Sequence, residues 1–283
     1  MVKIIGDTTS GLPREVAERY GIPIIPQVIH FGETSYLEGL EIDNATFMEK
    51  LQGSAELPKT SAPPPELFAR EFERLAETGE AALCILPSAV LSGTVRSAQV
   101  AAREFPSLDI RIVDTRVIAS PVATMLRLAA QWAEAGLDVD TIEARVSDLA
   151  ARCRLYFLVD TLEYLAKGGR IGGAAALLGS VLQLKPVLTM EDGRIESFEK
   201  VRTFRRAQRR LQDLVVEQIA PGEEGHLSVM HAAVPDQAQA LVERLQRQLH
   251  LSYEVNVLDV PPAIVTHGGP GVLGVGFFTA QVE

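Results

Sequence analysis

Cysteine is scarce in this chain. Cys84 and Cys153 are the two among 283 residues, and no C-x-x-C occurs, so neither a zinc knuckle nor a redox pair can be read from them. Positive charge is also in deficit, 27 Lys and Arg standing against 37 Asp and Glu for a formal charge of −10. Without clustered cations to displace counterions, a nucleic-acid binder or a binder of anionic membranes is disfavoured. No run of about 20 apolar residues is present, and the N-terminus carries a few apolar residues before Asp7. The expectation is a soluble, cytoplasmic protein with no stable membrane insertion. Also missing are the G-x-x-x-x-G-K-[ST] phosphate loop and the G-x-S-x-G nucleophile elbow. His226 and His231 have no carboxylates at ligand spacing, so no metal site is expected. Internal repeats and low-complexity tracts are absent as well.

What is there is a globular composition, 47% apolar and 23% charged, long enough for one large or two ordinary domains. In the first half, Val2–Gly6, Ile22–Phe31, Ala81–Leu86 and Ile110–Asp114 are apolar along nearly their whole length, which suits parallel strands covered on both faces. Between them run amphipathic stretches, Pro65–Ala76 and Thr94–Phe105, each with one apolar face. Two helices are expected over Pro121–Ala135 and Val139–Cys153, parted by a capping Gly136 and a new start at Asp138.

Leu155–Val159 opens a second series. It continues with a small-residue helix near Ala174–Leu182, then Pro186–Met190 and Arg194–Val201 joined through Asp192-Gly193, a strong hairpin signal. Helix Phe204–Ile219, strand Leu227–His231, helix Asp236–Leu249, strand Tyr253–Val260 and a strand from Val272 complete it. The pattern describes two α/β domains, 1–157 with a mainly parallel sheet flanked by helices and 158–283 with a mixed sheet including a β-hairpin.

Hydroxyl-rich loops carry the candidate chemistry. Pro87–Thr94 joins a strand to a helix, and free backbone N–H groups there, beside the Ser92 and Thr94 hydroxyls and next to Gly93, fit a carboxylate or phosphate; an ordinary helix cap fits the same residues. Thr60 and Ser61 sit between Pro58 and Pro63, which restrain both flanks, and a plain turn is again the alternative. Asp7-Thr8-Thr9-Ser10 follows the first strand, either as a cap or as a ligand loop with Asp7 organising it. Two Gly pairs bracket Arg170, which suits either close approach to an oxyanion or close packing with Arg170 paired to an acid; this segment has neither a dinucleotide nor a Walker pattern. His267 stands in a Gly-rich turn as a possible base.

In this order the motifs resemble the DegV family, bacterial proteins that bind fatty acids and present them to a separate fatty acid kinase. The resemblance spans the chain through Asp7-Thr8-Thr9-Ser10, Thr60-Ser61-x-Pro63, Leu91-Ser92-Gly93-Thr94, Val113-Asp114-Thr115, Thr161-Leu162-Glu163-Tyr164-Leu165 with Lys167-Gly168-Gly169-Arg170, and His267 with Gly269-Pro270-Gly271. It implies a long-chain fatty acid such as palmitate in an apolar tunnel, no other cofactor, and a kinase catalytic subunit as partner that forms the acyl phosphate. It maps the carboxylate contacts onto Thr60, Ser61 and Ser92, with Gly93 and Thr94 beside them and Arg170 and His267 near the same network. Ile24, Ile25, Leu91 and the small residues of 172–179 are candidates to line or leave room for the tail. Two other readings stand against the carrier: a serine hydrolase or acyltransferase using Ser92 and His267, and a phosphate-ester binder at the same helix start.

Overall fold

A computed structural model describes residues 2–178, 185–251 and 253–281. The chain forms two compact units, Met1–Ala151 with Pro261–Ala263, and Arg152–Val260 with Ile264–Glu283.

The first unit contains strands β1 (Val2–Asp7), β2 (Ile24–Ile25), β3 (Val28–Phe31), β4 (Thr34–Leu37), β5 (Lys59–Ser61), β6 (Ala81–Leu86) and β7 (Ile110–Asp114). Four of them make a sheet in the order β2-β1-β6-β7 with every pair parallel. Such a sheet must be covered on both faces, and it is. Phe68, Phe72 and Leu75 of helix Pro65–Thr78 pack with Val95 and Ala98 of helix Thr94–Ala102 against Ile5, Cys84 and Leu86. Helix Ser120–Glu134 approaches Gly6 so closely that a Cβ there would lie 2.5 Å from Leu126 Cδ1.

The apolar run Ile22–Phe31 is not one strand. Pro23 and Pro26 have no N–H to give a ladder, and the run splits into β2, parallel to β1, and β3, which joins an antiparallel sheet β4-β3-β5. That small sheet and helix Asn44–Gly53 are absent from the sequence reading. Elsewhere the expected helices appear within a few residues of their anticipated ends, and Asp138 caps helix Val139–Arg152 by accepting from Thr141 N at 2.8 Å.

The second unit contributes β8 (Cys153–Leu158), β9 (Lys185–Glu191), β10 (Arg194–Val201), β11 (Ser228–His231), β12 (Asn256–Asp259) and β13 (Leu273–Phe278) in one mixed sheet, β10-β9-β8-β13-β11-β12. β11 and β12 are parallel; the other pairs are antiparallel. Asp192 and Gly193 both take positive φ, 47° and 78°, as a tight hairpin turn requires. Helices Phe204–Gln218 and Pro235–Leu249 supply Leu211, Leu214, Leu241 and Leu245 to the core on this sheet. Because β8 bonds within this sheet, the units divide at 151/152 and not at 157/158, and the segment Pro261–Ala263 rejoins the first unit. The 3₁₀ helix Gly172–Leu177 stands where a longer helix to Leu182 was expected; residues 179–182 of that expectation lie outside the described residues.

Phe72 is fully buried in the first core. Phe72→Ala is expected to lower unfolding free energy by about 3–5 kcal/mol, measured by chemical denaturation. A loss below about 1 kcal/mol would contradict the packing described.

Candidate functional site

The parallel sheet has its switch point between β1 and β6, because the chain leaves β1 for β2 on one side and returns to β6 on the other. Crevices outside the carboxyl ends of strands at such a point are where open α/β sheets bind ligands. Asp7 ends β1, and the loop after β6 leads through Ser88 to Ser92 and Thr94.

Asp7 is fully buried there. Its carboxylate accepts from Thr9 Oγ1 at 2.6 Å and from Gln27 Nε2 at 2.6 Å. The same Gln27 nitrogen donates to Thr94 Oγ1 at 2.8 Å, and Thr94 Oγ1 lies 2.8 Å from Ser92 Oγ. Gln27 thus joins the ends of three strands, since it follows β2 while its partners follow β1 and β6. A second buried acid, Glu38, accepts from Thr8 Oγ1 and, at 2.8 Å, from Ala263 N. Thr8 Oγ1 in turn accepts from Gln27 N at 3.0 Å.

Ser61 ends β5. Its Oγ lies 2.8 Å from His30 Nε2, and His30 Nδ1 lies 2.8 Å from Ser35 Oγ. The loops of Ser61 and Ser92 meet directly after these residues: a Cβ on Gly93 would stand 3.1 Å from Ala62 Cβ. Gly93 is therefore the residue type that lets the two hydroxyl segments close on each other. Ser61 is exposed, Ser92 and Thr60 are half-buried, and Thr94 presents no surface, so Thr94 stands behind Ser92. Helix Thr94–Ala102 starts with Gly93 as N-cap, and Ser92 Oγ accepts from Thr94 N at 3.4 Å, so Ser92 also meets one of the free N–H groups of the helix start, as the cap reading expects.

In the second unit His267 lies in the last turn of helix Pro262–Gly268, not in the Gly-rich turn expected for it. Its ring packs on Gly168, where a Cβ would stand 2.2 Å from Nδ1, and the Arg170 guanidinium donates to Gly168 O at 2.7 Å. Burial, then the Arg170 charge, pushes His267 down to about 4. An imidazole held neutral that far below pH 7 is a weak general base. Gly172 and Gly173 approach Ile195 O and the Glu196 carboxylate, so this pair of glycines serves packing against β10. Gly269–Gly274 has G-x-G-x-x-G spacing but follows a helix and runs into β13, the reverse of the strand-to-helix order of the dinucleotide motif.

The first unit also holds a cavity of about 490 Å³ lined by Leu12, Ala17, Ile22, Pro23, Ile24 and Leu40, with Thr8 and Glu38 on its wall. Ile24 borders it as anticipated; Ile25 is instead in the core cluster, and neither Leu91 nor the two serines is part of this lining. Among the described residues no three metal-capable side chains gather, and no helix is long and apolar enough to cross a membrane.

Gln27, Glu38 and His30 were not singled out from the sequence. Gln27 is the one amide in the largely apolar run Ile22–Phe31, and that interruption was the available signal. Glu38 and His30 become partners of Thr8 and Ser61 through the small antiparallel sheet, which sequence periodicity did not reveal.

Comparison with known proteins places this architecture. The chain matches the family described as "Uncharacterised protein, DegV family" over residues 1–280, and it belongs to that family. A DegV domain-containing protein of Streptomyces coelicolor is 42% identical over 275 residues, covering 97% of both chains. A DegV family protein from Thermus thermophilus, described as fatty acid binding, superposes with a TM-score of 0.90 at 30% identity over 99% of each chain. DegV of Bacillus subtilis, described as a fatty acid binding protein, gives a TM-score of 0.88 at 29% identity, also over 99% of each.

Burial holds Asp7 and Glu38, the two buried acids among the described residues, above their ordinary range. Asp7 is raised to about 6 against the opposing hydrogen bonds of Thr9, Gln27 and Thr94. Glu38 is raised to about 7 by burial, opposed by the Thr8 and Ala263 bonds, with the Asp7 charge adding to the rise. Unfolding returns both to about 4, so the folded chain holds protons there that the unfolded chain has released. The resulting stability is complete below about pH 4 and is lost as pH rises through about 7. Glu38→Gln is expected to flatten this decline by on the order of 3 kcal/mol, read from denaturation between pH 4 and pH 8. Identical slopes in variant and wild type would contradict the assignment.

Proposed function

We propose that this protein binds a long-chain fatty acid, palmitate being a representative, with its carboxylate on the hydroxyls of Ser61 and Ser92, and hands it to a separate kinase that makes the acyl phosphate for phospholipid metabolism. The observation that carries this reading is the meeting of two serine-bearing loops, each serine backed by its own hydrogen-bonded partner, where Ala62 abuts Gly93 near the sheet's switch point. A hydroxyl donor from each of two adjoining loops fits the two oxygens of a carboxylate. The fatty acid binding described for the relatives from Thermus thermophilus and Bacillus subtilis supports the same ligand class.

Affinity in this account comes from the tail. About 15 methylenes at ~0.8 kcal/mol each contribute roughly 12 kcal/mol before ordering costs. The serines then set orientation, with Thr60 beside them. Ser92 and His267 do not make a nucleophile and base pair in this reading: Ser92 Oγ is engaged with the Thr94 hydroxyl, and His267, held neutral well below pH 7, is a poor partner for acyl transfer. The resemblance to the DegV family is the ground for giving Arg170 and His267 of the second unit a part in the phosphoryl-transfer step, in which the kinase places a phosphoryl group on the bound carboxylate.

Protein purified from bacteria without added lipid is expected to carry fatty acid in near-stoichiometric amount by mass spectrometry of its extract. The Ser61→Ala, Ser92→Ala double variant should fold normally and lose most of the palmitate-induced rise in Tm; an unchanged rise would overturn the head-group assignment. Arg170→Ala and His267→Ala are expected to slow acyl-phosphate formation at least tenfold while palmitate binding changes less than threefold. Equal losses of binding and transfer would contradict that division.

A further inference from the structure

The direction of the protons behind Ser92 decides which head group the site accepts. The side-chain nitrogen of Gln27 is donor only, and it spans Asp7 Oδ2 and Thr94 Oγ1. Turning the amide over would set its carbonyl oxygen against the Asp7 carboxylate, acceptor against acceptor, so Asp7 fixes the amide's orientation. Thr94 Oγ1 therefore accepts a hydrogen bond from Gln27 and keeps its own O–H to donate.

Two acceptors compete for that proton. If Thr94 gives it to Ser92 Oγ, 2.8 Å away, the Ser92 proton is left pointing outward as a donor. If Thr94 gives it to Asp7, whose charged form a Thr94 hydrogen bond also favours, Ser92 turns its own proton inward and shows the ligand only lone pairs. A carboxylate has no proton to offer and is served by the first arrangement alone. An alcohol both donates and accepts, so either arrangement serves it.

We propose that Gln27 is a positioning residue that makes the site selective for an acid over an alcohol. By satisfying Asp7 Oδ2 it frees the Thr94 proton for Ser92, and so turns Ser92 outward as a donor. Its backbone is fixed for this by the Thr8 bond to Gln27 N, and its side chain is buried, 3% exposed. The inference rests on the carboxylate site proposed above and adds the residue that sets its chemical preference.

The test compares affinities for palmitate and 1-hexadecanol, ligands of one tail length and two head groups. Wild type should prefer palmitate. Gln27→Met, similar in volume and without a donor, should weaken palmitate binding about tenfold and change hexadecanol binding less than twofold. Gln27→Leu likewise removes the donors, and it should shift the ratio in the same direction if the methionine variant does not fold. Adding Thr94→Val to either variant removes the inward acceptor for the Ser92 proton and should restore much of the acid preference, a rescue that a packing role for Gln27 would not produce. Equal weakening of both ligands, or an unchanged ratio with palmitate still bound, overturns the role of Gln27 and leaves the fatty-acid site standing. Wild type that binds neither ligand overturns the site and this inference together.

Discussion

A carboxyl group buried without a cation at the end of the central strand has to be satisfied by neutral donors, and the first unit is arranged around that demand. Asp7 sits with no exposed surface where β1 ends, and Thr9 and Gln27 supply its hydrogen bonds. Leaving such a group unpaired costs several kcal/mol. Gln27 answers it from the end of β2 and passes the network to Thr94 and Ser92 after β6. The same residues that meet a folding requirement thereby fix the direction of a surface hydroxyl. Under the proposed carboxylate site, stability and ligand recognition share one set of atoms, and burial of Asp7 and Glu38 raises both carboxyls above their ordinary range.

A second hydroxyl arrives by a different route. Ser61 belongs to the small antiparallel sheet, where β3 and β4 bring His30 and Ser35 into line behind it. Its loop reaches the Ser92 loop because position 93 has no side chain and position 62 has a short one. A larger residue at 93 would push the two hydroxyls apart. Two hydrogen-bonded chains built on different sheets thus end at serines whose loops meet at Ala62 and Gly93, and a planar anion with two oxygens is the ligand class proposed to use both.

The parallel sheet was legible because its strands are buried on both faces and read as unbroken apolar runs, as Ala81–Leu86 does. The Asp192-Gly193 hairpin was legible because its turn needs positive φ at both positions. Ile22–Phe31 misled for a physical reason: hydrophobicity persists across Pro26 although the ladder cannot, so one run serves two sheets. The hydroxyls of Ser61 and Ser92 could be named from local sequence, since Pro and Gly fix their surroundings. Their partners Gln27, His30 and Glu38 could not, because each acts across 20 or more residues through a fold whose small sheet has short, weakly patterned strands. The glycines around Arg170 were read as open to two uses; Gly168 makes room for the His267 ring and Gly172 for the Ile195 carbonyl.

The most direct test of the central claim is a crystal structure of the protein with palmitate bound. The account predicts carboxylate oxygens within hydrogen-bond distance of both Ser61 Oγ and Ser92 Oγ, with the Gln27 amide still bridging Asp7 and Thr94. A carboxylate bound elsewhere, with both serines turned to water, would contradict it.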